Sequence, residues 1–178
     1  MLSQNAKGWT PLACAIESGG TQVFKLILEL YHHLENRAPA SKVLSKALAM
    51  RDSSGLGETP LIKAIRKDRY DMFDLLLQIN KEKILKYDEV LCATDNLGRN
   101  ILHYAVMKQA SSIVKKIIIL DADYRNLRTA KDSKSKTAQL LDDSNLYKDV
   151  FETVWDAAKA GNVERLKQLI KVNEDDNK

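Results

Sequence analysis

The residues able to do chemistry are few and scattered. Three histidines stand at His32, His33 and His103. His32 and His33 are neighbours, so on a helix they point to different sides. They are not the i, i+4 pair that grips a metal, and no third ligand stands in pattern. Cys14 and Cys92 are the two thiols, and neither has a histidine in the arrangement of an activated nucleophile. Cys14 lies between Ala13 and Ala15, where a small buried thiol is the expected role. Cys92 enters a turn. Gly55-Leu56-Gly57 is a glycine-x-glycine with no strand before it and no third glycine, so it is not a dinucleotide fingerprint. The acidic pairs Asp142-Asp143 and Asp175-Asp176 lack the spacing of a calcium loop. The expectation is therefore no catalytic residue, no cofactor and no metal.

Composition narrows the class without naming a function. The chain has 178 residues, 28 Lys+Arg and 24 Asp+Glu, a formal net charge of +4. Apolar residues make up 44% and charged residues 29%, which suits a globular chain and is too apolar for a disordered one. No apolar run reaches the ~20 residues of a membrane-spanning helix. The start, Met1-Leu2-Ser3-Gln4-Asn5, lacks the basic and apolar regions of a secretory signal. Two cysteines make neither a disulfide framework nor a four-cysteine zinc site. A cytoplasmic or other reducing intracellular location is expected.

The elements that position these residues come in copies. Asn5-Ala6-Lys7-Gly8-Trp9-Thr10-Pro11-Leu12 returns as Gly55-Leu56-Gly57-Glu58-Thr59-Pro60-Leu61. It returns again as Asp95-Asn96-Leu97-Gly98-Arg99-Asn100-Ile101-Leu102-His103, and more weakly as Asp132-Ser133-Lys134-Ser135-Lys136-Thr137-Ala138. Each copy leads to a small residue and then an apolar quartet: Val23, Phe24, Ile27 and Leu28; Met72, Phe73, Leu76 and Leu77; Ile113, Val114, Ile117 and Ile118. Thr10, Thr59, Asn100 and Thr137 are N-cap types, each able to satisfy an orphan N–H for roughly 1 kcal/mol. Pro11 and Pro60 follow, where a missing N–H costs nothing. Gly8, Gly57 and Gly98 stand two residues before the caps, where a tight turn wants positive φ. The unit is turn, short helix, turn, longer helix, and it buries its apolar face only by stacking on its neighbours.

With these residues in view the chain resembles the ankyrin repeat family. The family's Thr-Pro-Leu-His-x-Ala signature stands here as Thr10-Pro11-Leu12-Ala13-Cys14-Ala15, Thr59-Pro60-Leu61-Ile62-Lys63-Ala64 and Asn100-Ile101-Leu102-His103-Tyr104-Ala105. Of these, only the third keeps the histidine, and it lacks the Thr-Pro pair. The resemblance implies an all-α solenoid of four to five stacked helix-turn-helix repeats with little or no sheet. It also implies a hydrogen-bonding role for His103 within and between the turns. One domain, 1–178, is expected, with repeats near 5–37, 52–80, 95–123 and 132–160 and a partial one at 147–171.

The spacing is irregular. The caps lie 49, 41 and 37 residues apart, against about 33 in the family. The excess falls after the second helix of each unit, at 38–50 and 81–90. Pro39 stops the helix before it, and Ser41 is placed to cap a short new one. The charged second insertion extends the helix before it. Helices are expected near 138–143, 147–160 and 163–171. Asp142-Asp143 occupy the place of Ala15-Ile16, and burying two carboxylates is costly, so the first helix of the fourth unit should be short or displaced.

Family partners meet the turn tips and the inner, concave face of the short helices. Carried over by position, that selects Lys7, Trp9, Glu58, Asn96, Leu97, Arg99, Lys134 and Lys136 at the tips. It selects Glu17, Ser18, Arg66, Lys67, Met107 and Lys108 at the helix ends. The protein-binding residues expected from this set are Lys7, Trp9, Glu58, Arg66, Lys67, Arg99, Met107, Lys108 and Lys136. Seven bases and two acids in the whole set suggest a partner with an acidic segment. The implied function is a non-catalytic protein-interaction module or scaffold. Two alternatives stand beside it. One is a recruiting domain of a larger protein such as a bacterial effector, working inside a host cell with catalysis elsewhere. The other is weak nucleic-acid or anionic-lipid binding through the basic face.

Overall fold

The computed structural model describes residues 4–37, 43–53, 55–80, 90–121, 126–142 and positions 157, 159 and 161. The helix expected near 163–171, the Ser41 cap, the stretch 81–89 and all of the helix expected near 147–160 except Ala157 and Lys159, which are helical, lie outside those residues. Where the sequence reading takes 1–178 as one array, the packing divides the chain into two compact units, Met1–Ile101 and Leu102–Lys178. The boundary falls inside the third repeat, at the start of its first helix. Among the described residues every element is helical.

The first unit contains α1 (Pro11–Ser18), α2 (Thr21–Arg37), α3 (Val43–Ala49), α4 (Pro60–Arg66) and α5 (Tyr70–Asn80). Thr10 and Thr59 hold extended backbone, and their hydroxyl oxygens accept from the N–H groups of Ala13 and Ile62 at 3.2 and 3.4 Å. Pro11 and Pro60 open the helices, as their caps require. α1 ends on Gly19 at φ 73°, whose left-handed turn lets the N–H groups of Gly19 and Gly20 reach back to Ile16 and Ala15. The equivalent positions hold Asp68 at φ 57° and Gln109 at φ 53°, so two side chains carry strain where the first copy uses glycine.

The tips are fastened by a side chain not anticipated from the pattern. The carboxylate or amide oxygens of Asn5, Asp95 and Asp132 each accept two backbone N–H groups of their own turn at 2.8–3.0 Å. Asp52 does the same job in a longer turn, accepting from Glu58 N–H at 3.0 Å. Gly57 is obligatory there. Its φ is 61°, and an added Cβ would lie 2.4 Å from the Asn96 side chain of the next tip. That close approach lets Asn96 N–H donate to Leu56 C=O at 2.8 Å.

The core forms where α1 packs on α2 and α4, and where α2 packs on α5. Leu12, Ile16, Phe24, Ile62, Ile65, Met72 and Phe73 have no exposed surface. The first insertion is structured: α3 buries Leu44, Ala47 and Leu48 and packs against α2 and α4. One expected anchor is not buried. Val23 is 55% exposed, whereas its counterpart Met72 is fully buried. α5 has α2 to cover it, but among the described residues no helix covers α2 in that way. Leu26 and Leu30, at helical spacing from Val23, are exposed with it.

The second unit contains α6 (Ile101–Met107) from Leu102 onward, α7 (Ser111–Asp121) and α8 (Asn126–Thr129), the last absent from the sequence reading. Leu102, Val106, Ile113, Val114, Ile117 and Ile118 are buried. His103 is fully buried, and its Nε2–H donates to the Lys136 carbonyl oxygen at 3.2 Å, tying α6 to the next turn. Among its described residues the fourth copy makes a 3₁₀ turn, Ala138–Leu141, with no side-chain capping bond from Thr137 and an end at Asp142. The acidic residue placed there keeps that helix short, as expected.

Candidate protein-interaction surface

The centre of the first unit's tip region is a buried cation. α4 places Lys63 at 1% exposure, beneath the turn that precedes it and beside α1. Its ammonium lies 2.8 Å from Asp52, 3.9 Å from Glu58 and 3.7 Å from Glu17. Burying a cation this far is costly unless carboxylates are buried with it. Glu58 in turn accepts from Arg66, through Nη2 at 2.8 Å and through a very short contact with Nε. Glu17 accepts from Lys67 at 2.5 Å. That hydrogen bond holds the Glu17 carboxyl below its ordinary value, against the opposing effect of partial burial. The Trp9 ring caps the network, with Lys63 Nζ 4.3 Å and Lys7 Nζ 4.8 Å from its centroid.

Counting across this network, Lys63, Arg66 and Lys67 meet Asp52, Glu58 and Glu17, three charges of each sign. Two of the bases selected from sequence, Arg66 and Lys67, are therefore engaged internally. Glu58 is not an exposed tip residue at all, being 2% exposed. Lys7 is exposed, Trp9 and Arg99 are half-buried, and Arg99 N–H is bound in the Asp95 turn. On the second unit, Met107 stands 45% exposed at the end of α6, followed by exposed Lys108. Lys134 and Lys136 are exposed on the Asp132 turn.

Beside Trp9 the surface opens into a hollow of about 390 Å³, walled by Asn5, Ala6, Lys7, Trp9, Cys14, Glu17 and Ser18. Among the described residues no group of His, Cys, Asp and Glu is arranged to hold a metal. No described helix is long and apolar enough to cross a membrane.

Sequence reading missed Lys63 and Asp52. A signal was present. Lys63 stands where the other copies have Cys14 and Tyr104, positions that face inward. A lysine in that series demands buried carboxylates, and the adjoining turn offers two.

Residues 42–128 match a family model described as ankyrin repeats, three copies. A search of the curated proteins returns no match. Among solved structures the chain is similar to the ankyrin repeat domain of Bcl-3, described as a unique member of the IkappaB protein family. The two are 21% identical with a TM-score of 0.61, over 84% of this chain and 54% of that one. This chain thus spans about half the length of that solved chain, and the likeness at that identity is one of fold. Capped short helices, left-handed turns, longer paired helices and the matched repeats converge: the chain carries ankyrin repeats, matched over residues 42–128, within an ankyrin-like helical fold.

Proposed function

We propose that this chain is a non-catalytic protein-binding module that meets its partner on the turn tips and the open ends of the short helices. That is the face which is concave in the family. Ankyrin repeats serve protein–protein interaction in general and typically carry no catalysis. The observation that carries the reading for this chain is Met107. It is a large, soft apolar side chain, 45% exposed at the end of a short helix, with an exposed lysine after it. Methionine at such a position adapts its shape to a partner.

An acidic partner segment is the reading we favour. The two acids of the tip set, Glu17 and Glu58, are already paired to Lys67 and Arg66. Lys7, Lys134 and Lys136 stand exposed on the tips. The test is capture of binding partners by the wild type, by Lys7→Glu/Lys108→Glu/Lys136→Glu and by Met107→Asp, with matched melting curves. Reversal at Arg66 or Lys67 is unsuitable, because it would place carboxylates against Glu58 or Glu17. Loss of the same partner in both variants supports this face. Retention by both removes it.

A further inference from the structure

We propose that the hollow beside Trp9 seats an apolar side chain of the partner, carried on a segment flanked by carboxylates. This rests on the protein-binding reading above and names the anchor point.

The hollow has a cause in the repeat. One position, four residues after each cap, holds Cys14, Lys63 and Tyr104 in successive copies. Lys63 uses its length to reach back within 4.3 Å of the Trp9 ring centroid. Cys14 ends at its sulfur, which accepts from Asn5 Nδ2 at 3.5 Å, so the space that the longer Lys63 fills in the second copy is left open in the first. Its volume is about 390 Å³, in a depression open to solvent. That is enough for one large side chain and some of its backbone.

The walls select what enters. The Trp9 indole, the Ala6 methyl and the Cys14 thiol are apolar and favour an aliphatic or aromatic group. The indole Nε1–H is shielded from water and has no hydrogen-bond partner. The charge is settled by the same network that holds Trp9. Glu17 is met by Lys67 and lies near Lys63, which cancels its negative sign. Lys7 is exposed at the rim with its ammonium over the indole. A basic flank would meet Lys7 and be repelled, whereas an acidic flank would pair with it.

The experiment follows the Trp9 indole N–H resonance in ¹⁵N-labelled protein carrying Trp155→Phe. Three peptides are titrated: Asp-Asp-Leu-Phe-Asp-Asp, Lys-Lys-Leu-Phe-Lys-Lys and Asp-Asp-Ser-Ser-Asp-Asp, each with blocked ends. The proposal expects a saturable shift with the first alone. It expects Cys14→Tyr, which fills the hollow with the side chain used at Tyr104, to weaken that binding by about tenfold or more. Cys14→Ser, of nearly unchanged size, should bind like the wild type and serves where the tyrosine variant fails to fold. An unmoved resonance overturns the proposal, as does an equal response to the lysine peptide, or full binding by folded Cys14→Tyr. If partner capture is lost in Met107→Asp while Trp9 stays silent, the hollow is excluded and the binding face stands. If neither responds, both fall.

Discussion

Replacing Lys63 by methionine tests whether the buried network is a structural requirement of the first unit. The side chains of Asp52 and Glu58 are each 1% exposed, and that of Lys63 is 2% exposed. Methionine keeps most of the volume, so the packing change is small. What it removes is the cation 2.8 Å from Asp52, leaving a carboxylate in a place water does not reach. Deleting one member of a buried pair costs about 3–5 kcal/mol, and the lost contact with the indole adds roughly 0.5–2. For a chain of this length about 3–5 kcal/mol corresponds to a fall in Tm of about 6–20 °C. Adding Asp52→Asn should recover most of the loss, because the uncompensated charge goes with it. Urea unfolding at pH 7, followed by far-UV circular dichroism, measures all four corners of the cycle. Raising the salt should change the deficit little, since a pair this deep is weakly screened. A single variant within about 1 kcal/mol of wild type, or a double variant no better than the single, would refute the claim that Lys63 is held as a paired buried charge.

Three further outcomes follow from the same geometry. Glu17 has its folded pKa lowered from 4.5 by the Lys67 hydrogen bond. The stability it adds is therefore present above that value and lost as pH falls through the lower folded value. Melting curves of wild type and Glu17→Gln should differ at pH 7 and converge in acid, and parallel curves would contradict this. Gly57→Ala combines positive φ with a Cβ 2.4 Å from Asn96 and should cost about 2 kcal/mol or more. Gly55→Ala, with nothing within 4 Å, should stay within about 0.5 kcal/mol of wild type, and thermal melts compare the two directly. Gln109→Gly relieves a φ of 53° on an exposed residue and should stabilise the second unit by up to about 1 kcal/mol. A lower Tm there would mean that the glutamine side chain contributes more than its strain.

Much of the helical framework was legible because ankyrin-type units repeat one local code. Thr10-Pro11 and Thr59-Pro60 mark helix starts by hydrogen-bond need, and Phe24, Leu28, Met72, Phe73, Ile113 and Val114 mark core faces by spacing. Val23 obeyed the same spacing and still lies exposed, because spacing shows which face is apolar and not whether another helix arrives to cover it. The short 3₁₀ turn at Ala138–Leu141 could be anticipated from Asp142, whose carboxylate has no place in a core. α8 could not, since four residues carry too little periodicity to stand out. At the candidate surface, the exposed Lys7, Met107, Lys108 and Lys136 followed from position alone. The pairing of Arg66 and Lys67 did not, because summing charges assumes that every one faces water. Lys63 breaks that assumption, and its carboxylates come from a turn and a neighbouring repeat.

The way the first repeat is fastened sets where the fold comes apart. α1 and α2 bury apolar surface on one side and leave Val23, Leu26 and Leu30 open on another. Their remaining ties to the second repeat include polar ones: Thr21 Oγ1 to Asp71 at 2.7 Å, Lys67 to Glu17, and Gln4 to the Arg51 carbonyl. Water competes for each of these. Fraying should therefore begin at α1 and α2, as a cooperative opening of one helical pair rather than of the unit. Amide hydrogens there would exchange ahead of those in α4 and α5, and each opening would uncover the Lys63 ammonium to solvent. On that expectation the Trp9 hollow lies on the part of the first unit that opens first. A ligand that clasps it would be registered as slower hydrogen exchange through α1 and α2, well beyond the residues it touches.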